Sequence, residues 1–321
     1  MKTGSDLCRA ATAALALSIA SLTGVAGAAY AQDKNITIVV PNPSAINNFP
    51  LHVAIGEGYF EEAGLNVTVE AVNGSASVLQ SMAAGQAQIG NPGPGPLLGA
   101  RAREESEVQG PADLKGTVVG VGTADGAEVG FSRAILTDVG LAEGTDYEFL
   151  AIGDGGTAAA AFLNDEVASY AAAVSDAAII ESRGIPLREI TPDEYLSFFG
   201  NGWAVTRSYL DENPDVIEAF GKALVKGTKF GMDPANKDKV LEHTTAGNPQ
   251  EGEDREFAEA LLAAIQERMT PLDMSNGYGY QPPEHWQMWH DSSVESGALS
   301  APLDDLEAAY TNQFVEAWNA E

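Results

Sequence analysis

The apolar positions alternate between short β-branched runs and helically spaced stripes. Ile36-Thr-Ile-Val-Val40 is a compact run halted by Pro41-Asn-Pro43, which reads as a buried strand running into a loop. Pro50 to Phe60 carries helix-like apolar spacing and ends near Gly64. Val67 to Val72 is the next strand, stopped by Asn73-Gly74. Ser75 is then placed to cap a helix presenting Val78, Leu79 and Met82. Ala87-Gln-Ile89 predicts a brief third strand, broken at Asn91-Pro-Gly-Pro-Gly-Pro96, and Leu97, Leu98 and Ala102 predict a helix after it. A second block repeats the pattern. Strands are expected at 117–121 and 147–152. Helices are expected through Phe131, Ile135 and Leu136, closing at Gly140, and from Ala158 to Leu163.

The last third of the chain reads as helical. Asn213-Pro214 is a cap followed by Pro at the first helical position, with Val216, Ile217, Phe220 and Leu224 on one face. Further helices are marked by Phe257, Leu261, Ile265 and Met269, and by Leu303, Leu306, Tyr310, Phe314 and Trp318. Strands linked by helices demand a layered α/β architecture with parallel sheets.

The amino terminus adds a compartment. Lys2 and Arg9 precede a run of small and apolar residues that closes on Ala29-Tyr30-Ala31, the small-residue site a signal peptidase requires. We therefore expect a secretory leader over 1–31, cleaved after Ala31, and a periplasmic mature chain. Cys8 is the one cysteine and lies inside that leader, so the mature chain holds together by core burial rather than disulfides.

Charge narrows the partners. With 17 basic and 46 acidic residues the formal net charge is −29, a surface that repels phosphate backbones and disfavours nucleic acid. Gly120-Val-Gly122-Thr-Ala-Asp-Gly126 follows a strand and precedes a helix, but its spacing is one residue too long for the dinucleotide fingerprint. His52, His243, His285 and His290 form no metal-binding spacing. No nucleophile elbow is present and no carboxylate pair is singled out. No cofactor, metal or catalytic residue is expected.

What recurs is a set of small, hydroxyl and amide residues just after strands: Ser44 with Asn47 and Asn48, Ser75 with Ser77, Asn91 with Gly93, Thr123 with Asp125 and Gly126, and Asp154 with Thr157. In open α/β sheets ligands bind outside the carboxyl ends of the strands, where helix N-termini expose unpaired N–H groups. Trp203, in Phe198-Phe-Gly-Asn-Gly-Trp203, completes the candidate set. These aromatics either stack on a ligand or form core beneath a hinge.

Taken in order, the Ile36–Val40 strand, Ala54-Ile-Gly-Glu-Gly-Tyr-Phe60 with Gly64-Leu65, Gly74-Ser-Ala, Ala84-Gly-Gln-Ala-Gln-Ile-Gly90, Asp113-Leu-Lys-Gly116 and the Asn213-Pro214 helix resemble the solute-binding proteins of ABC importers in the nitrate, sulfonate, taurine and thiamine-precursor group. The resemblance implies a type II periplasmic-binding-protein-like α/β fold, two lobes around a ligand cleft. Lobe 1 would span 32–105 and 204–321, and lobe 2 106–203. It also implies capture of a sulfonate, a nitrate-like anion or a thiamine-precursor-like pyrimidine by a monomer that docks on an inner-membrane ABC permease. The segment before Asp113-Leu-Lys-Gly116 is shorter than in that group, so the inter-lobe crossover is expected to be shortened and to lack a strand. The group's pyrimidine-building cousins use a cysteine-rich motif that the mature chain lacks. The rival functions are an exported hydrolase or lyase on a similar frame and a sensor-associated binding protein.

Overall fold

The computed structural model describes residues 34–93, 99–124, 127–153, 156–295, 297 and 299–320. The expected leader lies outside the described residues. Over the rest, the chain builds two sheets, one after the other.

The first sheet is made of β1 (Lys34–Val40), β2 (Leu65–Ala71) and β3 (Ile89–Gly90), all parallel, in the order β2-β1-β3. Ile38 lies opposite both Val69 and Ile89. The continuous apolar run of β1 follows from its central place: Ile38, Val39 and Val40 are all buried because both faces are covered. The connections carry α1 (Phe49–Gly56), α2 (Tyr59–Glu62) and α3 (Gly74–Ala83). Gly58, at φ +77°, breaks the expected single helix from Pro50 into α1 and α2, a left-handed turn that favours glycine. On α3, Val78 and Met82 face the core as expected, whereas Leu79 is exposed.

The second sheet contains β4 (Gly99–Arg103), β5 (Thr117–Val121), β6 (Tyr147–Ala151), β7 (Ser169–Ala172) and β8 (Leu187–Glu189), in the order β6-β5-β7-β4-β8. β5, β6 and β7 are parallel, and β4 runs antiparallel between β7 and β8. Its helices are α4 (Ala127–Asp138), α5 (Gly156–Leu163), α6 (Val174–Ser182) and α7 (Asp193–Leu196).

β4 corrects two expectations. Ala102 belongs to a strand and not to a helix, while Leu97 and Leu98 lie outside the described residues. The short crossover also does carry a strand. The physical signal is the two-residue alternation Ala100-Arg-Ala-Arg103, in which Ala102 is fully buried and Arg103 reaches out to Asp165 at 3.0 Å. Residues 99–103 therefore pair with the second sheet, although the expected division had assigned them to the first lobe. The first sheet, with three strands among the described residues, is completed by an antiparallel bridge between Gly90 and Ala204, where the chain returns.

The remainder is helical: α8 (Arg207–Glu212), α9 (Pro214–Met232), α10 (Lys237–Gly247), α11 (Arg255–Met269), α12 (Pro283–Glu295) and α13 (Val315–Asn319). α9 starts at Pro214 as expected. Its predicted cap does other work, however, because Asn213 Nδ2 donates to the Tyr209 carbonyl at 3.3 Å. The single helix expected through Leu303 to Trp318 does not form. Pro302 stands at its start, Leu303 is exposed, and only a 3₁₀ turn (Glu307–Ala309) and α13 are helical.

Ile36, Ile38, Leu51, Phe60, Ile89 and Phe220 form the core beneath the first sheet. Val119, Leu136 and Tyr147 anchor one side of the second sheet, and Phe162, Tyr170 and Ile180 the other. A further cluster joins the two halves: Ile46, Phe49 and Val53 from the first, Val174 from α6, and Leu261, Leu262 and Ile265 from α11.

Candidate functional site

In each parallel set the segments that leave the carboxyl ends of the strands share one edge of the sheet. The first sheet thus gathers 41–48, 72–75 and 91–93. The second gathers 122–124, 152–153 and 173–175. A direct bond ties the two edges together: Asn47 Nδ2, after β1, donates to Ser175 Oγ, after β7, at 2.9 Å. The Asn47 Oδ1 atom is buried and has no partner among the described residues. The strand-end loops of the two sheets therefore meet at this point.

The loop after β1 is closed by a carboxylate from far along the chain. Glu251 sits in a 3₁₀ turn (Pro249–Gly252) that follows α10. Its Oε1 accepts from Ser44 Oγ at 2.5 Å, and its Oε2 accepts from the backbone N–H groups of Ala45 and Ile46 at 2.8 and 3.1 Å. Asn47 N–H turns back to Ser44 Oγ at 3.2 Å, and Asn48 Nδ2 donates to the Ser44 carbonyl at 3.3 Å. Asn48 is buried and holds the turn in place of capping α1 through its side chain. Asn248 Nδ2 adds a bond to the Pro43 carbonyl at 3.1 Å.

Ser75 does not cap α3; Asn73 holds that position and Ser75 lies within the first turn. Its Oγ instead accepts from Gly93 N–H at 3.0 Å, which binds the loop after β2 to the loop after β3. Ser77 Oγ donates to the Asn73 carbonyl at 2.7 Å, an ordinary bond within the helix. Asn91 is buried. Its Nδ2 donates to the Gly202 carbonyl and its Oδ1 accepts from Asn201 Nδ2, each at 3.3 Å, so it stitches β3 to the returning chain.

In the second sheet Thr123 N–H donates to Glu128 Oε1 at 2.9 Å. Asp125, Gly126 and Asp154 lie outside the described residues. Thr157 is exposed and belongs to α5, not to a turn before it.

The aromatic alternatives separate by their contacts. Trp203 meets Phe220 edge-to-face at 5.3 Å and packs on the first core. Phe198 and Phe199 pack with Phe131, Tyr195 and Trp289, and Trp289 Nε1 donates to the Phe199 carbonyl at 2.9 Å. Phe198 and Phe199 thus pack, half-buried, against a core cluster. A groove of about 300 Å³ lies beside this cluster, between Asp138, Tyr195, Phe198, Asp291 and Glu295. The run of α4 back from β5 puts this groove at the opposite edge of the sheet from the strand-end loops.

Sequence reasoning missed Glu251, Glu128, Ser175 and Asn201. Glu128 stands five residues beyond its partner and has a local signal, a carboxylate in the first turn of a helix. Glu251 is separated from Ile46 by 205 positions and has none.

A family model described as NMT1/THI5 like matches residues 45–104 and 94–236. The chain belongs to this family. The family assignment agrees with the importer group that the motif order resembled. The riboflavin-binding protein RibY of Chloroflexus aurantiacus is 23% identical over 309 residues, covering 88% of this chain and 86% of its own. Among solved structures, a Bordetella bronchiseptica RB50 protein superposes with a TM-score of 0.70 at 20% identity, over 90% of this chain and 98% of its own. The periplasmic aliphatic sulphonate binding protein SsuA of Escherichia coli gives 0.65 at 13% identity, over 84% and 90%. This NMT1/THI5-like chain has the type II periplasmic-binding-protein fold, two lobes about a cleft. No described helix is long and apolar enough to cross a membrane.

Proposed function

We propose that this chain is an exported, non-catalytic solute-binding protein. It takes up a small molecule between its lobes and presents it to an ABC permease in the inner membrane. The carrying observation is the meeting of the two strand-end edges at Asn47 and Ser175. Ligands of open α/β sheets occupy that edge, and two such edges facing each other form a crevice that a solute can close. The leader-like residues 1–31, with cleavage after Ala31, support export to the periplasm. The protein works as a monomer, with lobe 2 built on the second sheet. Its ligand contacts come from Asn47, Ser175 and the loop carrying Thr123, through hydroxyl, amide and backbone groups. The candidate solutes are a sulfonate, a nitrate-like anion and a thiamine-precursor-like pyrimidine, and the RibY relative adds riboflavin to them. Thermal-shift screening of the processed protein against these four classes tests the reading. A concentration-dependent rise in the unfolding midpoint with one class is expected. Turnover of a chromogenic ester or glycoside panel with no midpoint shift would favour the hydrolase alternative.

A further inference from the structure

The charge at the strand-end loops narrows the ligand class, and the argument rests on the solute-binding reading above. β1 and β5 occupy equivalent places, each being the central strand of its parallel triplet. A crevice that receives an oxyanion needs free N–H donors or cations at these positions. Both loops are instead served by the chain's own acids. Glu251 takes the N–H groups of Ala45 and Ile46 together with the Ser44 hydroxyl, and Glu128 takes the N–H of Thr123. The described loop segments add no cation of their own. Among the described residues of these loops, 41–48, 72–75, 91–93, 122–124, 152–153 and 173–176 contain no Lys or Arg. An anion entering here would meet the carboxylates of Glu251 and Glu128 at the N–H groups it needs.

We propose that Glu251 is a specificity-determining residue: its carboxylate fills the position an anionic solute would take, so the protein selects an uncharged or cationic solute and rejects oxyanions. Electrostatic specificity of this kind works by repulsion of the wrong ligand as much as by attraction of the right one. It also agrees with the global field of a chain of net charge −29, which repels small anions and draws cations.

The test uses the processed wild type, Glu251→Ala and Glu251→Gln, the last keeping an acceptor oxygen so that the loop stays folded. Riboflavin and hydroxymethylpyrimidine serve as uncharged probes, thiamine as a cation, and nitrate and methanesulfonate as anions. Affinities are read by calorimetry and midpoint shifts. The proposal expects an uncharged or cationic probe to bind wild type at least tenfold tighter than either anion. It also expects both variants to bind methanesulfonate at least tenfold tighter than wild type does. Wild-type binding of nitrate or methanesulfonate on a par with the best other probe overturns the charge filter and leaves the solute-binding reading standing. Unchanged anion affinity in both variants does the same. Silence from every probe in all three proteins overturns both.

Discussion

His52 makes the stability of the fold depend on pH in a window that can be calculated. It lies on α1, where its ring is pressed against α10: a methyl on Gly247 would sit 2.3 Å from its Nδ1. Burial disfavours the charged imidazolium and lowers its pKa from 6.5 to about 4. The unfolded chain therefore binds a proton at a pH where the folded chain does not. Stability is complete above pH 6.5, falls as the pH drops from 6.5 to about 4, and loses nothing further from this group below that. One pKa unit is worth about 1.4 kcal/mol, so the linkage gives losses of about 1.4 kcal/mol by pH 5.5 and about 2.5 kcal/mol by pH 4.5. These are ceilings, since the ring retains some contact with water. Glu57 acts in a separate window. The hydrogen bond from His243 at 2.7 Å holds its carboxyl below the ordinary value of 4.5, so its contribution is present above pH 4.5 and disappears only as the pH falls further. Urea unfolding at pH 7.5, 5.5 and 4.5 should show the midpoint falling across the first interval, and His52→Gln should flatten that slope. A wild-type midpoint that stays constant from pH 7.5 to 4.5 would refute the burial argument.

Two further substitutions probe the packing. At Gly221 on α9 a methyl would lie 2.2 Å from the Trp318 ring, so Gly221→Ala should displace α13 at a cost of about 1–3 kcal/mol. The checks are the thermal midpoint and the emission of Trp318; a wild-type spectrum and midpoint would contradict the contact. Leu261 is buried in the cluster shared by α1, α6 and α11, and Leu261→Ala should cost about 2–5 kcal/mol. Because that cluster joins both halves, one cooperative denaturation transition should move as a whole, and two resolved transitions would count against it.

The fold was legible where burial imposes a period. Ile36–Val40 and Thr117–Val121 are runs of mostly apolar, β-branched residues without polar alternation because a central parallel strand is covered on both faces, and α9 announces itself by Pro214 and its stripe of Val216, Ile217 and Phe220. The failures share a physical cause. In β4 the residues are small, so the alternation of Ala102 with its arginines carries little hydrophobic contrast and the helical spacing from Leu97 looks equally good. Leu303, Leu306, Tyr310, Phe314 and Trp318 keep helical spacing, yet only Phe314 of these five is buried and Trp318 packs half-buried on α9. The spacing there reflects two anchor points and not one face.

The loops that carry the candidate residues were legible in position, and their hydrogen bonding was not. Hydroxyl and amide residues after strands mark where helices begin, and the structure does gather Ser44, Asn47, Ser75, Asn91 and Gly93 along one edge. Their hydrogen-bonding capacity is another matter, because a donor that looks free in the sequence is free only if nothing distant has claimed it. Ser75 is bound to Gly93, Thr123 to Glu128, and Ser44 to Glu251. The last of these changes what the loop can offer: its hydroxyl and the N–H groups of Ala45 and Ile46 are taken by one carboxylate, 207 positions beyond Ser44. Local sequence fixes which groups a loop offers, and tertiary contacts decide which of them remain for a ligand.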